Sequence, residues 1–467
     1  MTLENRSAAP TRLPLARLPF GRDALPALAV TAAASLTQLD VTAMAVALPV
    51  IEAEFGLGAV GMAWVMDVYS LAFVGLLFAA GAAADRYGRR LALVVGVCVF
   101  AAASLLGGLA WNGTSLLAAR ALQGVAAAFI IAGGFAMLSL AYPDPGRRAR
   151  AFGLMGVVTG AAMALGPAVG GLLTASAGWR WIFLVKLPVC LAAVWTVLRW
   201  GAESRDPEGR PFDPAGLLLL SLALALPVHA ILRADGTAVS RWVELAAGVA
   251  MAAAFVVQQR RRRRPMIDPL LFAQPGSIGI GLILVLLSVA YWAVLVYLPA
   301  FFQAAFGFRP EQTGIAMLVA TLPMVAFPAL GARLVQRRGI GGTAAAAFAL
   351  MAVATAALAV LAMQGALSVA AAVALAAAAG SGAGLVNAQV SAALIAMAPA
   401  GQAGMASAVA TTLRQAGYAL GIACLGLAVR PGLEGGAAYA GALAVAAGAA
   451  AAGLAVAVLL PRERRPG

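Results

Sequence analysis

Apolar residues run together for about 20 positions or more at a time along most of this chain, and short arginine clusters or glycine and proline breaks part the runs. A helix of that length crosses the hydrocarbon core of a bilayer, where every backbone N–H and C=O must be satisfied inside its own segment. The windows predict spans at 25–49, 59–83, 91–111, 115–141, 150–176 and 182–200, then 213–233 and 240–258, then 276–303, 312–333, 341–363, 366–397, 403–428 and 436–460. These fourteen spans make the expected fold class an all-α polytopic membrane protein. The pattern divides the chain into an N-terminal tail (1–24), an N-terminal six-helix bundle (25–200), two extra transmembrane helices with their linkers (201–275), a C-terminal six-helix bundle (276–460) and a short tail (461–467).

Composition points the same way: 63% of the 467 residues are hydrophobic and only 11% are charged, which ordinary soluble domains do not match. A net charge of +14 would suggest nucleic acid in a soluble protein, but here the arginines fall in short loops between spans. With the N-terminus inside, 24 arginines lie in inside segments and five in outside loops. That asymmetry puts both termini in the cytoplasm of a bacterial inner membrane and leaves lipid, not nucleic acid, as the expected surrounding partner. The run Arg260 to Arg264 reads as a topology anchor. The apolar run after Arg6, Arg12, Arg17 and Arg22 reads as a first span and not as a removed signal.

Trp64, Trp111, Trp179, Trp181 and Trp242 fall near predicted outer helix ends, as interfacial anchors do. Cys98, Cys190 and Cys424 sit in apolar segments without metal-ligand spacing and read as buried structural thiols, so no metal or other cofactor is expected. His229 reads as a packed polar residue rather than a proton relay.

Ionisable residues inside spans are costly and are functional candidates by default. Asp40 and Asp67 lie at similar depths, roughly 12 to 14 Å from the outer ends of the first two helices. Two carboxylates there can bind protons or a cation. Arg120 begins about 8 Å inside the outer face of the fourth span; an arginine keeps its proton and needs a partner. Between 276 and 428 the only carboxylate is Glu311, in a predicted outer loop, so Arg414 has no acidic partner in its own half.

Two loops repeat one theme. Gly81-Ala82-Ala83-Ala84-Asp85-Arg86-Tyr87-Gly88-Arg89-Arg90 follows the second span, and a degenerate copy, Gly331-Ala332-Arg333-Leu334-Val335-Gln336-Arg337-Arg338-Gly339, stands at the matching place in the last block. In the fifth span Gly156 and Gly160, then Gly166 and Gly170, lie four apart on one helical face, where a neighbouring backbone can approach closely, and Pro167 invites a bend. The first loop resembles the loop signature of the major facilitator superfamily. Arg120, Gln123 and Gly124 resemble its fourth-helix motif, and Gly160, Gly166, Pro167, Gly170 and Gly171 resemble the fifth-helix motif of its antiporters. Leu39-Asp40-Val41-Thr42 with Ala47-Leu48-Pro49, Trp179-Arg180-Trp181-Ile182-Phe183 and Arg414-Gln415-Ala416-Gly417 are similar to the 14-span drug:proton antiporter branch. Trp64-Val65-Met66-Asp67-Val68-Tyr69-Ser70-Leu71 is similar to the second-helix pattern of quaternary-ammonium exporters.

The resemblance implies a major facilitator fold and a proton-coupled antiporter, not an enzyme, that exports hydrophobic, cationic compounds. It places Asp40 beside Arg120 at the proton-coupling site, assigns substrate binding to Asp67 and Arg414, and makes Asp85, Arg86, Gly88 and Arg89 a latch on the inside face. Lys186 departs from the asparagine usual after the Trp-Arg-Trp motif and adds positive charge near the expected outer mouth. Tyr291, Trp292, Tyr297, Phe301 and Phe302 make the ninth span aromatic, suited either to packing or to holding a lipophilic cation. Metabolite symport on the same fold, a non-transporting sensor or scaffold, and an intramembrane enzyme are the alternatives; no HExxH pattern or phosphate-binding Gly-Lys-Ser/Thr loop supports enzymatic or ATP-driven chemistry.

Overall fold

The computed structural model describes residues 25–460 except 143, 206–212, 233–237, 264, 275, 399–401 and 431. Both expected tails therefore lie outside the described residues, as do Arg210, Arg233 and Arg264. Helices α1 (Leu25–Phe55), α2 (Gly58–Tyr87), α3 (Arg89–Gly108), α4 (Gly113–Ala141), α5 (Pro145–Ser176) and α6 (Trp181–Trp200) form the first bundle. Next come α7 (Pro214–Leu232) and α8 (Ala238–Arg261). The second bundle holds α9 (Ser277–Phe306), α10 (310–338), α11 (340–363), α12 (Val369–Ala396), α13 (Ala403–Ala428) and α14 (Ala437–Leu459).

Twelve stretches of described residues are long and apolar enough to cross a membrane. The other two of the fourteen spans are α10, interrupted ahead of Pro323 and Pro328, and α13, which carries Arg414. Gly339, at φ 73°, turns the chain from α10 into α11, a backbone conformation that a Cβ would strain. A π turn at Ser288–Trp292 interrupts α9.

The two bundles meet tightly at the end opposite the arginine-rich loops. There a Cβ on Gly171 would strike the Pro310 carbonyl and Gly314 of α10; within the first bundle, one on Gly170 would sit 2.5 Å from the Ala43 carbonyl of α1. On the other side of the bundle α2 packs on α13, where Gly426 faces the Tyr297 hydroxyl and Ala63. Helix α7 covers this second seam, packing on both α2 and α13 with Val228 and Leu232 in the shared core. The middle pair is pinned at its arginine-rich end by Asp213, which accepts from the Gly216 N–H at 2.9 Å and from Gln258, Gln259 and Arg262 at 3.0 Å each. Near its other end His229 pairs with Glu244 at 2.7 Å.

The glycines of α5 therefore divide into two groups. Gly166, Gly170 and Gly171 leave no room for a side chain, whereas Gly156 and Gly160 face open space and meet no backbone within 4 Å. Equal spacing along the helix does not mean equal packing across it. Gly171→Leu should destabilise the purified protein by about 1–3 kcal/mol, the usual range for overpacking, while Gly160→Ala should leave the thermal unfolding midpoint in detergent close to the parent's.

Candidate functional site: a buried charge cluster beside a central cavity

Asp40 on α1 is fully buried, and its carboxylate is shared between two cations. Arg120 Nη1 from α4 donates to Oδ2, and Lys186 Nζ from α6 donates to Oδ1. Gln123 Nε2 reaches the same Oδ1 at 3.4 Å and the Ser104 hydroxyl of α3 at 3.0 Å. Arg120 also donates through Nε to the Val65 carbonyl of α2 at 3.1 Å and through Nη1 to Gln123 Oε1 at 2.8 Å. The Tyr69 ring lies 4.6 Å from the guanidinium, and the Phe183 and Phe100 rings lie 4.8 and 5.4 Å from the Lys186 ammonium.

Five helices of the first bundle thus join one network, in which α4 and α6 contact the Asp40 carboxylate directly and α2 and α3 hold Arg120 and Gln123. With all three groups charged the cluster holds two positive charges and one negative in a dry interior. Such an arrangement persists only while the carboxylate is ionised and hydrogen-bonded.

The structure brings Asp40 and Arg120 together, but it corrects the expectation for Lys186. That side chain does not stand near an outer mouth. Val185 keeps helical torsions (φ −62°, ψ −21°) and its N–H bonds the Trp181 carbonyl at 3.0 Å, so α6 runs on through Lys186, whose ammonium points inward to Asp40. The Trp-Arg-Trp segment anchors the start of α6: Arg180 binds Glu54 at 2.6 Å and the Ala110 carbonyl at 3.0 Å, while Trp179 donates to Glu54 at 2.7 Å.

A cavity of about 590 Å³ lies between the bundles in the half nearer the arginine-rich loops. Its wall includes Thr37, Gln38 and Thr42 of α1, Tyr69 and Phe73 of α2, Phe135 of α4, Gly156 and Gly160 of α5, Trp292 of α9, Asn387 of α12, and Arg414, Gln415 and Tyr418 of α13. Tyr69 is the partition between this space and Arg120. Asp40, Arg120, Lys186 and Asp67 do not line it. Arg414 does, and no ion pair or hydrogen bond engages it among the described residues.

Asp67 is also fully buried, with neither carboxylate oxygen hydrogen-bonded among the described residues. It sits in the α2–α13 seam, within electrostatic reach of Tyr297, Tyr418 and Cys424. In this conformation, therefore, Asp67 is shut away from the cavity.

At the arginine-rich face, Arg89 donates to Asp85 Oδ1 at 2.8 and 3.0 Å, Arg86 lies exposed over Tyr87, and Gly88 turns the chain at φ 127°. The Glu203 carboxylate, unremarked in the sequence reading, accepts from the N–H groups of Arg90 and Leu91 at 3.1 Å each and so caps α3. A Cβ at Gly88 would lie 2.7 Å from that carboxylate, so the glycine is required both for its backbone angle and for space.

Several peripheral expectations change. Trp179 is 2% exposed and packs edge-on to Phe55 and Phe183, not against lipid; Trp111, Trp181 and Trp242 are exposed. Cys98 is exposed, so only Cys190 is fully buried among the three free cysteines. Of the aromatic residues of α9, only Trp292 reaches the cavity, and Tyr291, Tyr297, Phe301 and Phe302 are packed in the core.

Comparison with known proteins places this geometry in context. The Major Facilitator Superfamily profile matches residues 30–422. A puromycin resistance protein of Streptomyces alboniger is 34% identical over 315 residues, covering 66% of this chain and 62% of that protein's length. The multidrug resistance protein Stp of Mycobacterium tuberculosis is 31% identical over 83% of this chain and 72% of its own. A methylenomycin A resistance protein of Streptomyces coelicolor is 31% identical over 88% of each chain. The crystal structure of an auto-inhibited POT family peptide transporter superposes with a TM-score of 0.67 at 16% identity, covering 95% of this chain and 99% of that one, a likeness of fold alone.

The cluster makes a stability prediction independent of any cargo. Asp40→Asn leaves two buried cations facing each other and should cost about 3–5 kcal/mol, as breaking one side of a buried ion pair does. Lys186→Met leaves a balanced Asp40–Arg120 pair and should cost less. The double variant should therefore be more stable than Asp40→Asn alone, as read by thermal unfolding in a double-mutant cycle.

Proposed function

The chain belongs to the Major Facilitator Superfamily and, within it, to the drug:proton antiporter family, and we propose that it exports hydrophobic drug-like compounds from the cytoplasm in exchange for protons. The arginine-rich ends then face the cytoplasm, in keeping with the positive-inside rule, and the cavity is the cytoplasm-facing binding site. The observation that carries the reading is the Asp40 cluster, one aromatic ring away from that cavity.

The coupling follows from charge. While Asp40 is ionised it holds Arg120 and Lys186 together, and with them α1, α4 and α6. A proton on Asp40 removes the only negative charge in the cluster and leaves two like charges in a low-dielectric interior, which favours a different packing of the three helices. Tyr69, in contact with Arg120 and on the cavity wall, lets bound cargo feel that change. The contacts of Gly171 with Pro310 and Gly314, and of Gly314 with the Pro167 carbonyl, close the opposite end between the bundles and are the seam that must part for release.

Asp67 takes a second role. It becomes reachable by cargo or protons only when the α2–α13 seam opens, so its contribution belongs to the outward-facing state. Asp85, Arg86, Gly88 and Arg89 form the latch. With the cavity on the cytoplasmic side, Asp85 is satisfied within its own turn, and the latch spans the bundles only when that side closes. The expected positive cargo finds no carboxylate among the described residues of the cavity wall.

Everted membrane vesicles made acid inside should accumulate compounds from a panel that includes puromycin and methylenomycin A, and a protonophore should abolish the accumulation. Asp40→Asn should lower this uphill uptake at least about tenfold, a change of about 1.4 kcal/mol in driving coupling. Asp85→Asn should slow turnover severalfold without weakening binding. Uptake that ignores the pH difference, or that proceeds normally in Asp40→Asn, would contradict the reading.

A further inference from the structure

The chemical class of the cargo is set by the charge of the cavity wall, and that charge is positive. Among the described lining residues Arg414 is the only formally charged one, and its guanidinium has no partner. Trp292, also on the wall, has an indole N–H without an acceptor among the described residues. One unpartnered acceptor, Asn387 Oδ1, stands there too. The two deep carboxylates that would welcome a cation are withheld. Asp40 is occupied by Arg120 and Lys186, and Asp67 is enclosed in the α2–α13 seam. Behind Tyr69 the cluster adds two positive charges to one negative, so the cavity is flanked by positive charge on both the α1–α2 side and the α13 side. An arginine fork in a low-dielectric wall matches a carboxylate through two parallel N–H···O bonds.

Resting on the efflux reading above, we propose that the cargo is an organic acid: an apolar, ring-bearing body with one ionised carboxylate, which Arg414 takes while the body lies against Phe73, Phe135 and Tyr418. A volume of about 590 Å³ suits a compound of drug size. Exchange of such an anion for an entering proton moves two charges in the same sense, so an inside-negative membrane potential drives both movements. One-for-one exchange of a monovalent cation for a proton would move no net charge.

The test uses the purified full-length protein and three probes with one body: 1-pyrenebutyrate, 1-pyrenebutanol and (1-pyrenebutyl)trimethylammonium. The carboxylate should bind about tenfold more tightly than the ammonium compound. Arg414→Gln should lower the carboxylate-to-alcohol affinity ratio by about tenfold, and Arg414→Lys should restore part of it. In proteoliposomes a potassium diffusion potential, positive on the receiving side, should speed carboxylate transport severalfold. Preference for the ammonium compound, no binding of the carboxylate, or an affinity ratio unmoved in Arg414→Gln would overturn the proposal. Arg414-dependent binding without any vesicle transport would support the charge class and sink the efflux reading. Transport of all three probes without preference would sink the charge class and leave efflux standing.

Discussion

One carboxylate deep in the first bundle, held by two cations, is the constraint on which the rest of the molecule depends. In water three such charges would be worth little to one another, but where no solvent reaches them each must be matched by a fixed neighbour. Asp40 has those neighbours on α4 and α6, and Gln123 and Ser104 extend the network to α3. The arrangement is asymmetric in charge, with Arg120 Nη2 left without a partner among the described residues. On the exchange proposed above, a carboxylate that binds both cations in only one protonation state couples the presence of a proton to the packing of helices.

In the same proposal, the packing around the cluster turns that local choice into access at one side or the other. Opposite the arginine-rich loops, Gly170 and Gly171 let α5 lie against α1 and α10 with backbone contacts that no side chain would permit. At the cavity level the same helix presents Gly156 and Gly160 to open space. Helix α5 is thus tightly seated from Gly166 onward and meets open space at Gly156 and Gly160, with Pro167 inside the tight stretch. Helix α7 leans on the second seam between the bundles, against α2 and α13, where Asp67 is enclosed, and α8 packs on α7. Opening either seam exposes groups that the present conformation hides.

Much of this was legible in the sequence, for identifiable reasons. Span number and rough boundaries follow from the bilayer, which requires runs of fixed length and makes charged interruptions conspicuous. The partnership of Asp40 and Arg120 was legible because ions inside apolar runs have to find each other. Lys186 was misjudged because it stands at the start of a predicted span, where a lysine ordinarily reaches toward water. It stands instead on the face of α6 turned to Asp40, and the start of that helix is anchored by Trp179 and Arg180 on Glu54, a contact between residues more than a hundred positions apart. Glu203 was invisible for the same reason: a linker acid shows its role only once it is seen capping α3. The two glycine pairs of α5 looked alike because spacing records which face a residue occupies, not what stands opposite.

The central claim is that Asp40 itself takes up and releases the coupling proton. The most direct measurement is an infrared difference spectrum of the full-length protein in lipid, recorded on adding a transported compound near neutral pH and read in the carboxyl C=O stretching region. The account predicts a cargo-dependent carboxyl band that disappears in Asp40→Asn and persists in Asp67→Asn. A cargo-dependent carboxyl band that survives intact in Asp40→Asn would contradict it and move the proton elsewhere.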